Sequence, residues 1–563
     1  CVSGYIARCG RTLICALSDV ETLSRRVAQL EAALAGNDIA NPQKGDSQAP
    51  PESPPARKPP GHVHPIPRVP GLLGPNWYFN GIPLSSKQGC HWISTKTGQD
   101  ISLFDLCIPR VNDCPLWSVQ SALSHINLDQ LPERLRVQEI LNEFIDSCSM
   151  LGIPILNRET LARTMDVAYK PTDWTSPSSE QILATACLLS ALSMASRLAN
   201  SRQSFMEVDN LESRALHYLV SLGNDASLDT LQTALLLSLQ HVFCADWEGA
   251  SHVNSIACRI VCSLQGHVVR PQQLAPDSIQ ERLQIRNLFW VCYALDKEIS
   301  LRTGSPPLLV DVYCDLSPPR ATNDTTSEMP GECEGSLYQF LPRFLGDIHL
   351  SKLKERIFKL LFSAQALNEH DGQILTNIRQ LDEEAEIWRA SIPEPLRPAL
   401  FVLPDTNSRA ANQVSPTMLH RISLQLQHQH LMIIIHTMVR RCTLDASDGI
   451  RGLHDVAHSS FDISLEAGRS TLWCLRYLIH RFIALYCTPA AFAIFLDILI
   501  HPFSAHASRD LELLISTANA VQNMPVDALT TNEKAQIHAT GTLLMRFVWL
   551  GTCAIMKEKG APS

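Results

Sequence analysis

Between Arg286 and Val310, Phe289, Cys292, Leu295 and Ile299 recur at three-to-four spacing, with Asn287, Lys297 and Glu298 among them. That rhythm predicts an amphipathic helix with one buried face. Gly304 can adopt the left-handed conformation that ends a helix, and Pro306 and Pro307 forbid its continuation. The same period predicts helices over Leu131–Leu151, Ser179–Leu198, Asp209–Leu222, Leu228–Trp247, Val253–Gln265, Pro276–Arg302 and Phe344–Ala366. Further helices are expected over Asn368–Ser391, Pro416–Cys442, Phe461–Cys487, Pro489–Ile500, Arg509–Gln522 and Asn532–Met556. Ser179 and Asn532, each followed by Glu, are the candidate N-caps of their helices. Trp77–Gly98, with its glycines, serines and aromatics, reads as a turn-like lead-in. No period-2 alternation lasts long enough for a sheet. The expectation is an all-α fold, a long helical array or bundle. Its N-terminal half covers 77–317 and its C-terminal half 337–563, with the polar, breaker-rich 318–336 between them as a mobile loop.

A different pattern runs ahead of this body. Val20, Leu23, Val27, Leu30 and Leu34 follow 3-4-3-4 spacing, with valine at the first two a positions and leucine at both d positions. That combination favours a parallel two-stranded coiled coil over 19–35, with Arg26 and Glu31 placed to attract across it. The pattern is short, and a lone amphipathic helix is the alternative. Residues 36–76 follow as a linker: eleven prolines between Pro42 and Pro75, mixed with polar residues, give no material for a core.

Composition narrows the class. A chain of 563 residues exceeds what one compact core serves, so about two to four cores or an extended array is expected. A formal net charge of −9 argues against binding a polyanion through the bulk surface. Many of the 18 cysteines stand singly in apolar helical segments, for example Cys187, Cys258, Cys292, Cys474 and Cys553. Used that way they are small core residues of a reducing compartment, not a disulfide framework. The longest uncharged apolar runs, Ile182–Ser196 and Ile483–Leu496, fall short of the ~20 residues of a bilayer span. With no secretory signal in view, the expectation is a soluble, intracellular chain that does not engage a membrane.

Candidate chemistry is sparse. His370-Asp371 and His454-Asp455, the latter with His458 one turn on, are the kind of pair that ligates metal in helical phosphohydrolases. Neither has the remaining ligands at a recognisable spacing. His420, His428, His430 and His436 share one predicted helix, but His428 and His430 face different sides and cannot chelate together. Phosphate-cradling, nucleophile-elbow and metalloprotease motifs are missing. Arg440-Arg441 is too short a basic run for nuclear import or a DNA contact. Asp296 on the central helix is expected to pair with Arg286 or Arg302 and fix packing. No catalytic residue and no metal ligand is assigned.

The string Phe289-Trp290, Asp296, Gly304-x-Pro306 and the acidic segment Asp311–Pro318 resembles the central signature of the fungal-specific transcription factor domain. Weaker likenesses lie at Gly89–Gly98, Pro154–Leu161, Leu381–Pro398 and Ile433–Cys442. The order of coiled coil, Pro-rich linker and helical body is similar to fungal binuclear zinc-cluster transcription factors beyond their DNA-binding module. The resemblance implies a nuclear transcription regulator that is not an enzyme. It also implies dimerisation, homo- or heterotypic, through Val20–Leu34, and partners among the transcription machinery or co-regulators. A small-molecule effector is a further implied partner. Two departures matter. Ser305 stands where the family usually has arginine, and no Cys-x-x-Cys occurs anywhere, so the six-cysteine cluster is missing. Cys1, Cys9 and Cys15 within 1–18 are either the ragged end of such a module or unrelated residues. Zinc is therefore expected only if a complete cluster exists elsewhere in the full-length protein, and DNA contact would depend on it. The alternatives are a cluster-less co-regulator acting through a full-length partner and a helical metal-dependent phosphohydrolase.

Overall fold

The structure is a computed structural model that describes residues 77–106, 131–151, 155–170, 177–198, 208–222, 225–269, 276–317, 347–400, 416–443, 451–475, 480–526 and 529–560. The heptad positions Val20, Leu23, Val27, Leu30 and Leu34, the linker, Cys1, Cys9, Cys15 and the 318–336 segment all lie outside the described residues. The described ones belong to a single compact unit, Ile66–Ser563.

The lead-in is more structured than its turn-like sequence suggests. Tyr78–Phe79 (β1) and Ile82–Pro83 (β2) pair antiparallel, with Phe79 opposite Ile82. Between them Asn80 and Gly81 both take positive φ, at 45° and 78°. Two such residues close a hairpin tightly, which is why Asn-Gly is a strong hairpin dipeptide. A helix follows at once, Lys87–Thr97 (α1), capped by the Ser86 side chain, which accepts from Gly89 N. Trp77, packed edge-on to Phe492 at 4.6 Å, plugs this segment into the core.

The helical body then runs Arg134–Leu151 (α2), Arg158–Ala168 (α3), Ser179–Leu198 (α4), Val208–Leu222 (α5), Leu228–Phe243 (α6), Trp247–Ser263 (α7) and Pro276–Thr303 (α8). After the undescribed segment come Ile348–Ile357 (α9), Asp371–Ser391 (α10), Pro416–Thr437 (α11), Arg451–Leu475 (α12), His480–Ile500 (α13), Ala507–Gln522 (α14) and Thr531–Gly560 (α15). The fold is all-α. Helices close in sequence pack on one another: α4 on α5 and α6, α6 on α7, α7 on α8, and α11 through α15 in series. One continuous hydrophobic core runs through them.

Several boundaries depart from the periodic pattern. Helix α3 had no separate expectation; its N-cap Asn157 accepts from Thr160 N, a signal visible in Asn-Arg-Glu. The expected Leu228–Trp247 helix ends at Phe243, because Ala245 turns to φ 54° and Asp246 caps the next helix through Gly249 N. The caps also sit one or two residues early. Ser178, not Ser179, receives Gln181 N. Thr530, not Asn532, forms a capping box in which Glu533 N donates to its hydroxyl and Thr530 N donates to the Glu533 carboxylate. Phe344–Ala366 resolves into α9 followed by a π-turn over Phe358–Phe362.

The largest departure is at Pro489. A helix over Phe461–Cys487 and another starting at the proline were expected, but α12 ends at Leu475 and α13 runs straight through Pro489. A proline inside a helix removes one backbone donor and leaves the carbonyl four residues back without its partner. Here that carbonyl is Leu485 O, and the Arg302 guanidinium of α8 donates to it at 2.6 Å. The break is repaired from a neighbouring helix.

Helix α15 is long and apolar enough to cross a membrane by length and composition, and more than half of its most apolar stretch is buried inside the fold. It packs on α13, α14 and α1 and carries Arg546 bonded to Asp105 at 2.7 Å, as a core helix does. The cysteines behave as small core groups. Cys187, Cys258 and Cys292 are buried and Cys474 and Cys553 half-buried, all free thiols, and burial pushes the Cys258 and Cys292 thiols well up.

Candidate functional site

Helix α8 is buried along its C-terminal half. Every residue from Leu288 to Arg302 is buried, so the expected single buried face is wrong. The polar side became internal because the return loop Gly304–Ser317 and helix α9 cover it. Lys297 and Glu298 therefore sit in the core, and charges there need partners.

Each has them. Lys297 Nζ lies 3.0 Å from Asp296 Oδ2 and 2.6 Å from Glu355 Oε2, donates to Leu309 O, and sits 4.5 Å over the Tyr293 ring. Asp296 in turn accepts from Leu308 N at 2.9 Å and from Leu309 N at 3.0 Å. Glu355 accepts from Asp311 N at 3.1 Å, and Asp311 accepts the Tyr293 hydroxyl proton. One ammonium thus anchors a whole loop to the helix it follows. Burial pulls the Lys297 amine down, but Asp296 and Glu355 outweigh it and hold it above its ordinary range.

A second knot begins at the next residue. Glu298 is bonded by Arg302 Nε at 2.9 Å and paired with Lys354 Nζ at 2.7 Å, while Lys354 also donates to Gln427 Oε1 at 2.7 Å. Burial raises the Glu298 carboxyl, yet Lys354 and Arg302 together hold it well below the usual carboxylate range. The Arg302 guanidinium lies between the rings of Trp247 and Tyr486, 5.0 and 4.8 Å from their centroids. Through these two knots α8 is tied to α7, α9, α11 and α13. The expected pairing of Asp296 with Arg286 or Arg302 is incorrect. Arg302 takes Glu298, and Arg286 covers Phe289 and Trp290 at 4.7 and 5.2 Å and donates to Gly266 O, Asp315 O and Ser317 O.

The other signature positions are structural too. Phe289 and Trp290 are fully buried, edge to face at 5.2 Å. The Trp290 indole N–H is buried and has no acceptor among the described residues. Gly304 has φ 69° and bonds Ser300 O, ending α8, and Pro306 follows in the exposed turn.

The candidate metal dipeptide at His370 does different work. His370 Nδ1 caps α10 by accepting from Gln373 N at 3.1 Å, and Asp371 accepts from Thr443 N at 3.0 Å. The side chains of His454, Asp455 and His458 lie outside the described residues. Among the described residues no group of three or more His, Cys, Asp or Glu could hold a metal ion. His428 and His430 are buried, the first stacked near Trp388 and the second edge-on to Tyr486. Burial drives the His430 imidazole well below its ordinary value, and burial with Arg389 lowers His428 to about 4. Arg440 is buried over Phe461 at 4.3 Å, and Arg441 donates to Leu367 O, so this basic pair faces inward.

Sequence comparison places this geometry. Residues 141–390 match the profile of the fungal specific transcription factor domain, with α8 and its signature near the middle. The chain carries a fungal specific transcription factor domain. Two relatives described as ABC-transporter-regulating transcription factors, from Aspergillus oryzae and Aspergillus fumigatus, are each 23% identical. Each similarity covers 82% of this chain, and 53% and 52% of the respective relative. An uncharacterised transcriptional regulatory protein of Schizosaccharomyces pombe is 25% identical over 41% of this chain and 30% of its own length. The chain spans about half the length of the two Aspergillus relatives it matches. The domain match ends at Ala390, but the bonds from Lys354 of α9 to Gln427 and from Arg302 of α8 to Leu485 extend its packing into the helices beyond.

Proposed function

We propose that this chain is the dimerisation and regulatory region of a fungal zinc-cluster transcription regulator, acting through protein contacts. The observation that carries this reading is the domain match over 141–390, which contains α8, whose buried Asp296, Lys297 and Glu298 are engaged in packing. Under this reading the protein is nuclear, pairs through Val20–Leu34, and reaches DNA only where a complete zinc cluster is present in the full-length protein. Zinc would be held by that cluster, for which the described residues offer no ligand group. Transcription machinery or co-regulators would then be its partners, with a small effector as a further one. The names of the Aspergillus relatives make transporter genes the first target class to test.

The test is to join the chain to an unrelated sequence-specific DNA-binding module in a fungal cell and read a reporter gene beneath its site. The reading expects reporter output to rise or fall severalfold relative to the module alone. Unchanged output from a fusion shown to be nuclear and intact would overturn it.

A further inference from the structure

The loop after α8 combines two properties that seldom occur together. Its backbone is held tightly from beneath, yet its apolar side chains face solvent. Val312 is 78% exposed, Tyr313 75% and Leu308 55%. Beneath them, Leu308 N and Leu309 N are bonded to Asp296, and Asp311 N to Glu355. The turn itself is closed by Tyr313 N to Val310 O at 3.0 Å and Cys314 N to Asp311 O at 3.1 Å. Its far end is pinned by Asp315 N to His267 O at 2.8 Å and by Arg286 on Asp315 O at 2.6 Å. Val269, 54% exposed, extends from the segment that accepts this end. A solvated loop needs neither buried carboxylates to fix its amides nor valine, leucine and tyrosine pointing outward.

Charge indicates the occupant. From Ser305 to Ser317 there is no lysine or arginine, while Asp311 and Asp315 lie within the exposed stretch. Asp296, Glu355 and Lys297 lie beneath the loop, and at its surface the carboxylates Asp311 and Asp315 meet one cation among the described residues, Arg286 at 3.8 Å from Asp315, an excess of one negative charge. We propose that the Leu308–Tyr313 loop is a docking surface for an amphipathic segment of a partner protein, apolar on one side and flanked by lysine or arginine. Tyr313 and Val312 supply the apolar anchor, the acidic rim orients the segment, and the fixed backbone removes the ordering cost of binding. The proposal rests on this loop alone and does not depend on the DNA-binding reading.

The test measures fluorescence anisotropy of a labelled leucine–lysine helical peptide against the whole chain, with a leucine–glutamate peptide of equal length as counter-probe. A Val312→Ser, Tyr313→Ser double variant alters only exposed side chains. Ile387→Ser is the matched control, 64% exposed on a helix bearing Glu383 and Glu386. Expected is salt-sensitive binding of the leucine–lysine peptide that I387S leaves intact and the double variant weakens about tenfold or more, at unchanged melting temperature. The idea fails if that peptide does not bind, if the double variant binds equally well, or if the leucine–glutamate peptide binds as tightly. A wild-type dimer in sedimentation that the double variant abolishes would also overturn it, assigning the face to a second copy of the chain.

Discussion

Lys297 shows how a charged residue comes to sit in a core. Its amine reaches Asp296, Glu355 and a backbone carbonyl together, so removing it strands two carboxylates away from water. Lys297→Met should therefore destabilise the chain by about 3–5 kcal/mol, measured by denaturant unfolding. Glu355→Gln should cost less, because Asp296 still holds the amine, and the double variant should cost less than the two singles added. The partner of Asp296 could not be read from the sequence. A helix places i and i+1 on different faces, which pointed to Arg286 or Arg302, but the long lysine stem bends around to its neighbour. Glu355 lies across the undescribed segment, and no periodicity signals it. By contrast Glu298 and Arg302 are spaced i, i+4, a pair that spacing alone makes available. The buried histidines give a second outcome at this scale. His428 and His430 stay neutral in the fold but take up protons when unfolded, so stability is complete above about pH 6.5 and declines as pH falls below it. Each contributes a slope of roughly 1.4 kcal/mol per pH unit toward pH 4. Melting curves across that range should show a shallower decline for His430→Gln than for the wild type.

Among the elements, α13 is the informative case. The proline rule predicted a helix start at Pro489, and what overrode it was a donor from another helix taking the freed carbonyl. Arg302 does so while also bonding Glu298 and stacking between two rings, a combination lysine cannot reproduce. Arg302→Lys should cost about 2–3 kcal/mol in denaturant unfolding. In a Pro489→Ala background, where residue 489 supplies its own N–H to Leu485 O, that cost should shrink by about 1 kcal/mol. Equal costs in both backgrounds would remove the repair argument. Other element boundaries were legible in part. Asn80-Gly81 and the caps Asn157, Asp246 and Thr530 are local signals written in the sequence, each only one or two residues long and weaker than the helical period around them. The Thr530 hydroxyl caps α15, so Thr530→Ala should lower stability by about 1 kcal/mol, seen as a small drop in melting temperature.

For the molecule as a whole, the all-α architecture followed from three-to-four spacing repeated along the chain, and the domain was recognisable in Phe289-Trp290, Asp296 and Gly304-x-Pro306. Spacing does not disclose which helices meet. The convergence on α8 rests on pairs such as Lys354–Glu298 and Arg302–Leu485, far apart in sequence, with Lys354 carrying the tie on to Gln427 of α11. Those ties make α8 the hub of one cooperative body, in which the parts of the chain before and after the undescribed segment depend on each other. Denaturant unfolding followed in parallel by far-UV circular dichroism and tryptophan fluorescence, for the wild type and Lys297→Met, tests this most directly. A single coincident transition that Lys297→Met shifts to lower denaturant in both signals is the predicted result. Two separate transitions, with the variant moving only one of them, would contradict the account.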